Sequence, residues 1–135
     1  MDLSNLSVDP ENQTAVLTVL HPTTHAPLTD EDGNEVTITI HGPDSKAQTE
    51  LQRKFRNKAL KDGVKRKNMS ISSEQLEARA LDMDVAATAD WQNIGLDGKE
   101  LECTPENVKM VYTKLPWIRE QVEEFMADRA NFMGK

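Results

Sequence analysis

The segment Glu35-Val-Thr-Ile-Thr-Ile40 alternates strictly, with Val36, Ile38 and Ile40 on one side and Thr37 and Thr39 on the other. A period of two fits a β-strand with one buried and one open face. Such a strand needs a partner for its backbone groups. The nearest one is Thr14-Ala-Val-Leu-Thr-Val-Leu20, a β-branched run of strand length. Pro22, Pro27 and Asp30-Glu-Asp-Gly33-Asn34 separate the two as turn material. The spacing predicts an antiparallel hairpin over 14–42, with Asp32-Gly33-Asn34 supplying positive φ at the return. A lone hairpin is marginal in water, so its apolar face must pack on the rest of the chain.

That remainder reads as helical. Gly42-Pro43-Asp44-Ser45 ends the strand, and Asp44 or Ser45 can cap a helix over 46–62. Ala47, Leu51, Phe55 and Ala59 form its apolar stripe with Leu60 alongside, and Gly63 suits its end. Residues 64–71 read as an exposed basic linker. Ser72 or Ser73 can cap a second helix reaching about Ala89, Ser72-x-x-Gln75 fitting a capping box, with Leu76, Ala80, Met83 and Ala87 as its buried stripe. Trp91, Ile94, Leu96 and Leu101 make the next loop apolar enough to fold onto the core, with a tight turn at Asp97-Gly98. Thr104-Pro105-Glu106-Asn107 starts a third helix with Val108, Val111, Tyr112 and Leu115 on one face. Pro116 ends it and opens a fourth, with Ile118, Val122, Phe125 and Met126 inward. The predicted class is α+β: a flexible lead over 1–13, then one domain over 14–135. That domain comprises the hairpin at 14–42 and a helical part of about four helices at 45–135.

Composition narrows the function classes. Cys103 is the single cysteine, so an intramolecular disulfide and a four-cysteine or Cys2His2 zinc site are excluded. It reads as a small buried hydrophobe, since no histidine lies within sixty positions to activate it. No apolar run is long enough to span a membrane, and the acidic start MDLSNLSVDP lacks the features of a secretory signal. A cytosolic location is expected.

The net charge of −7 is unevenly spread. Residues 46–67 carry nine bases (Lys46, Arg53, Lys54, Arg56, Lys58, Lys61, Lys65, Arg66 and Lys67) against Glu50 and Asp62, a local charge of +7. The remainder carries seven bases and twenty-one acids, a charge of −14. Three readings of the block stand side by side: a solvated helix face, a surface for an acidic protein (another copy included), and a nucleic-acid contact. The last is disfavoured by the chain's acidity, and Phe55 on the apolar stripe is no stacking platform.

No spacing singles out a catalytic site. Phosphate-loop, dinucleotide, nucleophile-elbow and HExxH patterns are all missing. His21, His25 and His41, with Asp30 or Asp32, offer a weak zinc or nickel reading if His41 meets His21 across the hairpin. Asp30 to Glu35 is too short for a calcium loop and reads as an acidic turn. A non-enzymatic protein without cofactor is expected. Trp117, at a helix start beside charged positions, is either a binding anchor or a core residue.

A set of caps and turns resembles a known family. It comprises Leu20-His21-Pro22, Pro27-Leu28, Asp32-Gly33 and Gly42-Pro43-Asp44-Ser45 in the first half. The second half has Ala89-Asp90-Trp91, Leu96-Asp97-Gly98, Thr104-Pro105-Glu106-Asn107, Pro116-Trp117-Ile118-Arg119-Glu120-Gln121-Val122 and Asp128-Arg129-Ala130-Asn131-Phe132. Together they look like the tail assembly chaperones of long-tailed bacteriophages. That resemblance implies a protein of the host cytoplasm that coats the aggregation-prone tape measure protein, brings tail tube subunits to it and leaves before the virion matures. Self-association by head-to-tail stacking of the basic segment on the acidic body is a further expectation. Two other readings remain: a minor structural tail protein (connector or terminator) retained in the virion, and a nucleic-acid-binding accessory protein using residues 46–67.

Overall fold

The computed structural model describes residues 1–65 and 72–133. It has the expected α+β class. The predicted hairpin is present: β1 (Thr14–Thr18) and β2 (Thr37–His41) run antiparallel, with Thr14 opposite His41 and Thr18 opposite Thr37. Both strands are trimmed at the return because Leu28 inserts there. The Val19 N–H donates to the Val36 carbonyl (3.0 Å), the Leu28 N–H to Val19 and the Val36 N–H to Leu28 (2.8 Å each). At the tip, Gly33 takes φ +84° as the turn predicts. The Asp30 carboxylate accepts from the N–H groups of Asp32 and Asn34 at 2.9 Å, so the acidic loop bonds to itself.

The sequence pattern missed a third strand. The stretch expected to finish a helix and enter a loop is β3 (Thr88–Gln92), antiparallel to β2, which makes β2 central. Leu17, Ile38 and Trp91 lie in one cross-strand row on the buried face. The register slips between Thr39 and Ile40, so that Ala89 is extra and Thr88 pairs with Ile40. This bulge puts both Thr88 and Trp91 inward, which strict alternation forbids for residues three apart. Thr88 uses that position to bond the Tyr112 hydroxyl at 2.5 Å.

The predicted second helix is α2 (Ser73–Ala87), and it is capped as expected, with the Ser72 and Gln75 side chains bonding each other's backbone N–H. The expected stripe is covered only toward the end of the helix: Ala80 and Met83 are half-buried and Ala87 buried, while Leu76 is 55% exposed; Asp84 joins the inner side at 2% exposure. The helix before it is α1 (Lys46–Lys65), which runs through Gly63 instead of ending there. Val64 and Lys65 of the expected linker therefore belong to α1, and residues 66–71 lie outside the described residues. Ser45, fully buried, caps α1 by accepting from the Gln48 N–H. Asp44 instead pairs with Arg129 through two bonds of 2.7 and 2.8 Å. The last residues of the lead are tied down as well. Gln13 is buried and accepts from the Asp44 N–H, while Gly42 donates to its carbonyl.

Beyond β3, β4 (Gly95–Leu96) and β5 (Lys99–Glu100) form a small ribbon closed by Asp97 and Gly98, both at positive φ. Trp91 and Ile94 are buried there, as the apolar loop predicts, and the Trp91 indole donates to the Leu101 carbonyl at 2.9 Å. Then α3 (Pro105–Lys114) and α4 (Pro116–Ala127) start at their predicted prolines and cover the sheet's inner face. Val108, Val111, Tyr112, Ile118 and Val122 complete one core with Val19, Val36, Ile38 and Ile40. A 3₁₀ turn at Arg129–Phe132 folds Phe132 edge-on against Phe125 at 5.5 Å.

This topology has two ends. β2 runs into α1, and α2 runs into β3, at the His41–Thr88 end of the sheet. α1 and α2 pack antiparallel, with the Gln48 amide donating to Met83 (2.8 Å) and Arg79 over the Phe55 ring (5.3 Å). The hairpin tip and the β4–β5 ribbon lie at the other end.

Candidate partner-binding surface

α1 carries the predicted basic residues on an incompletely buried helix. Ala47, Leu51, Phe55 and Ala59 are half-buried on its inner side, as the stripe predicts. Arg53, Lys54, Arg56, Lys58 and Lys61 are exposed, and Leu60 stands among them at 65% exposure. Lys46 pairs with Glu11 and Glu50. Among the described residues none of the five outer bases forms an ion pair. Lys65 is helical, while Arg66 and Lys67 lie outside the described residues. A row of cations on one helix holds a positive local field despite the acidic whole.

Trp117 is not part of this face. It sits at the start of α4, half-buried against the core's fringe. It is therefore neither the fully exposed anchor nor the fully buried core residue that the sequence allowed.

The metal reading fails on register. His41 is opposite Thr14, whereas His21 lies beyond Thr18 at the other end of the hairpin. Burial holds the His41 imidazole below its usual range. His21 Nδ1 accepts from the Thr23 N–H at 3.2 Å, and His25 is in a left-handed turn. Among the described residues no three potential ligands converge. Burial, with Asp90 nearby, pushes the Cys103 thiol up, which keeps it protonated and weakly nucleophilic. A groove of about 630 Å³ opens between the hairpin tip and the ribbon, lined by Asp30, Glu31, Asp32, Asp97 and Glu100 with Lys99.

Sequence reasoning missed the most unusual polar cluster. The Arg119 guanidinium, on α4, donates from Nε to Asp84 Oδ2 at 2.6 Å and from Nη1 to Glu77 Oε1 at 2.5 Å, with Glu123 at 3.5 Å. Asp84 and Glu77 come from α2, so one cation bridges two helices. Desolvation and Glu123 push Asp84 from 3.8 up to about 7, against the pull of Arg119. Burial acts to lower the Arg119 guanidinium, but Asp84 and Glu77 outweigh it and keep it charged. The signal was present: Ala80, Asp84 and Ala87 share one helix face, so an acid stands within an apolar stripe.

Gln121 was missed too. Its amide accepts from the Leu20 N–H and donates to the Leu20 carbonyl, both at 2.8 Å, acting as one residue of an added strand. Arg119, Gln121 and Arg129 each join distant elements of the chain. Comparison with family models, curated proteins and solved structures gives no match for this chain.

Proposed function

We propose that the protein is a non-catalytic binding protein of the phage tail assembly chaperone type. It engages the tape measure protein and promotes tail tube assembly in the host cytoplasm. The observation that carries this reading is the exposed cationic face of α1, on a helix whose apolar stripe is only half covered. A chaperone for a long, aggregation-prone helical chain needs accessible apolar contact, charge for registry and an acidic body for solubility. The net charge of −7 supplies the last. No described helix is long and apolar enough to cross a membrane.

Co-expression with a tape measure protein of a long-tailed phage tests the reading. The expected result is a soluble complex, lost when Arg53, Arg56 and Lys61 are reversed to glutamate while the fold is kept. Purified virions examined by mass spectrometry should lack the protein. Retention in the virion would instead make it a minor structural tail protein, a connector or terminator. A salt-dependent shift with DNA or RNA, abolished by the same reversals, would identify a nucleic-acid-binding accessory protein.

A further inference from the structure

We propose that Arg119 and the three carboxylates around it form a proton-controlled clasp that holds α2, and with it the basic face of α1, against α4. Only one cation among the described groups of the cluster meets Glu77, Asp84 and Glu123. Asp84 is 2% exposed, so water cannot neutralise its charge. Glu123 reaches at 3.5 Å the same Arg119 Nε that Asp84 holds at 2.6 Å, so two carboxylates crowd one cation. Carboxylates crowded in this way share a proton, because ionising both leaves repulsion that one guanidinium does not offset.

The remaining neighbours of Asp84 supply no second cation. α3 presents Tyr112, whose hydroxyl burial pushes upward so that it stays neutral, bonded to Thr88 of β3. α1 presents the neutral Gln48 amide to Met83. β2 presents Ile40, and His41 lies on the opposite side of that strand. The helix is already divided in its burial: residues 72–78 are exposed, while Asp84 and Ala87 are inside. Loss of the shared proton therefore finds its relief in separating the outer part of α2 from α4, which lets water reach Asp84. α1, packed on α2, moves with it. The device stands whatever α1 binds.

The test uses the full chain. The side-chain carboxyl ¹³C shift of Asp84 is followed from pH 5 to 9, beside amide protection factors for Leu76 to Asp82 corrected for intrinsic exchange. The expected result is a titration centred near neutrality, with protection falling about tenfold across the same midpoint. The Asp84→Asn variant keeps an oxygen for Arg119 and an N–H for Glu123, so its protection should be independent of pH. Asp84 titrating below pH 5, wild-type protection that stays flat through the titration, or a D84N protein with wild-type pH dependence would each overturn the clasp.

Discussion

Replacing Gln121 by methionine keeps the length of the side chain and removes its amide. In the native fold that amide satisfies both backbone groups of Leu20 at 2.8 Å, joining α4 to the end of β1. Each bond contributes about 1 kcal/mol net, and a vacated polar group that water cannot reach costs about 1–3 kcal/mol. Leu20 and Gln121 are both half-buried, so water reaches the vacated groups in part. The expected loss for Q121M is therefore about 2 kcal/mol, well below the upper bound of about 6 kcal/mol for two starved groups. Urea unfolding followed by Trp91 fluorescence measures it, and the Leu20 amide should lose its exchange protection in the same variant. Gln121→Glu is an internal control. Its carboxylate still accepts from the Leu20 N–H but faces the Leu20 carbonyl with a second acceptor. It should destabilise at pH 7 and recover as the carboxyl is protonated near pH 4. A Q121M protein within about 0.5 kcal/mol of wild type would refute the reasoning, since surface substitutions commonly fall in that range.

Other substitutions probe the remaining joints. Tyr112→Phe removes the hydroxyl bonded to Thr88, which still donates to the Asp84 carbonyl; the expected cost is about 1 kcal/mol by thermal or urea unfolding. Arg129, with its hydrogen bonds and charge, holds Asp44 below its usual range. That stabilisation is present above the unfolded aspartate pKa and lost as pH falls through the lower folded one. Arg129→Met should therefore lower the unfolding midpoint at pH 6, by an amount that shrinks as pH falls below the ordinary aspartate range. Asp84 has the opposite sign. Its folded pKa is raised from 3.8 to about 7, so the stability it contributes is fully present below pH 3.8 and gone above pH 7. Wild type should lose about 2–4 kcal/mol between pH 4 and 8 relative to D84N, read from paired urea titrations.

Locally encoded features were legible in the chain. The Gly33 turn, the Ser72 capping box and the proline starts of α3 and α4 each depend on neighbours within a few residues, and the hairpin showed itself in the alternation of β2 after a second β-branched run. The Val36, Ile38 and Ile40 face is buried where alternation places it. β3 was not legible, because Thr88 to Gln92 has a single large apolar residue and follows a helix without a break. Its strand character comes from the free edge of β2, and its bulge defeats any period-two pattern. The basic residues of α1 could be named from composition and set opposite its apolar stripe, but which of them pair with acids elsewhere could not. The Arg119 cluster was hidden because its members are separated by 35 to 42 positions.

By itself the sequence determined what its patterning dictates: an α+β chain, one hairpin, four helices with their start signals, and a cationic segment on an acidic body. Tertiary structure alone decided how far along each helix the apolar face is covered. It left Leu76 exposed and took Asp84 inside, and it closed β2 on both sides. It also placed Arg119 between two helices. The physical reason is that burial is a property of contacts made across the fold, whereas caps and turns are satisfied within a single turn of chain. An acid in an apolar stripe is merely a polar residue until a distant guanidinium gives it a reason to be inside.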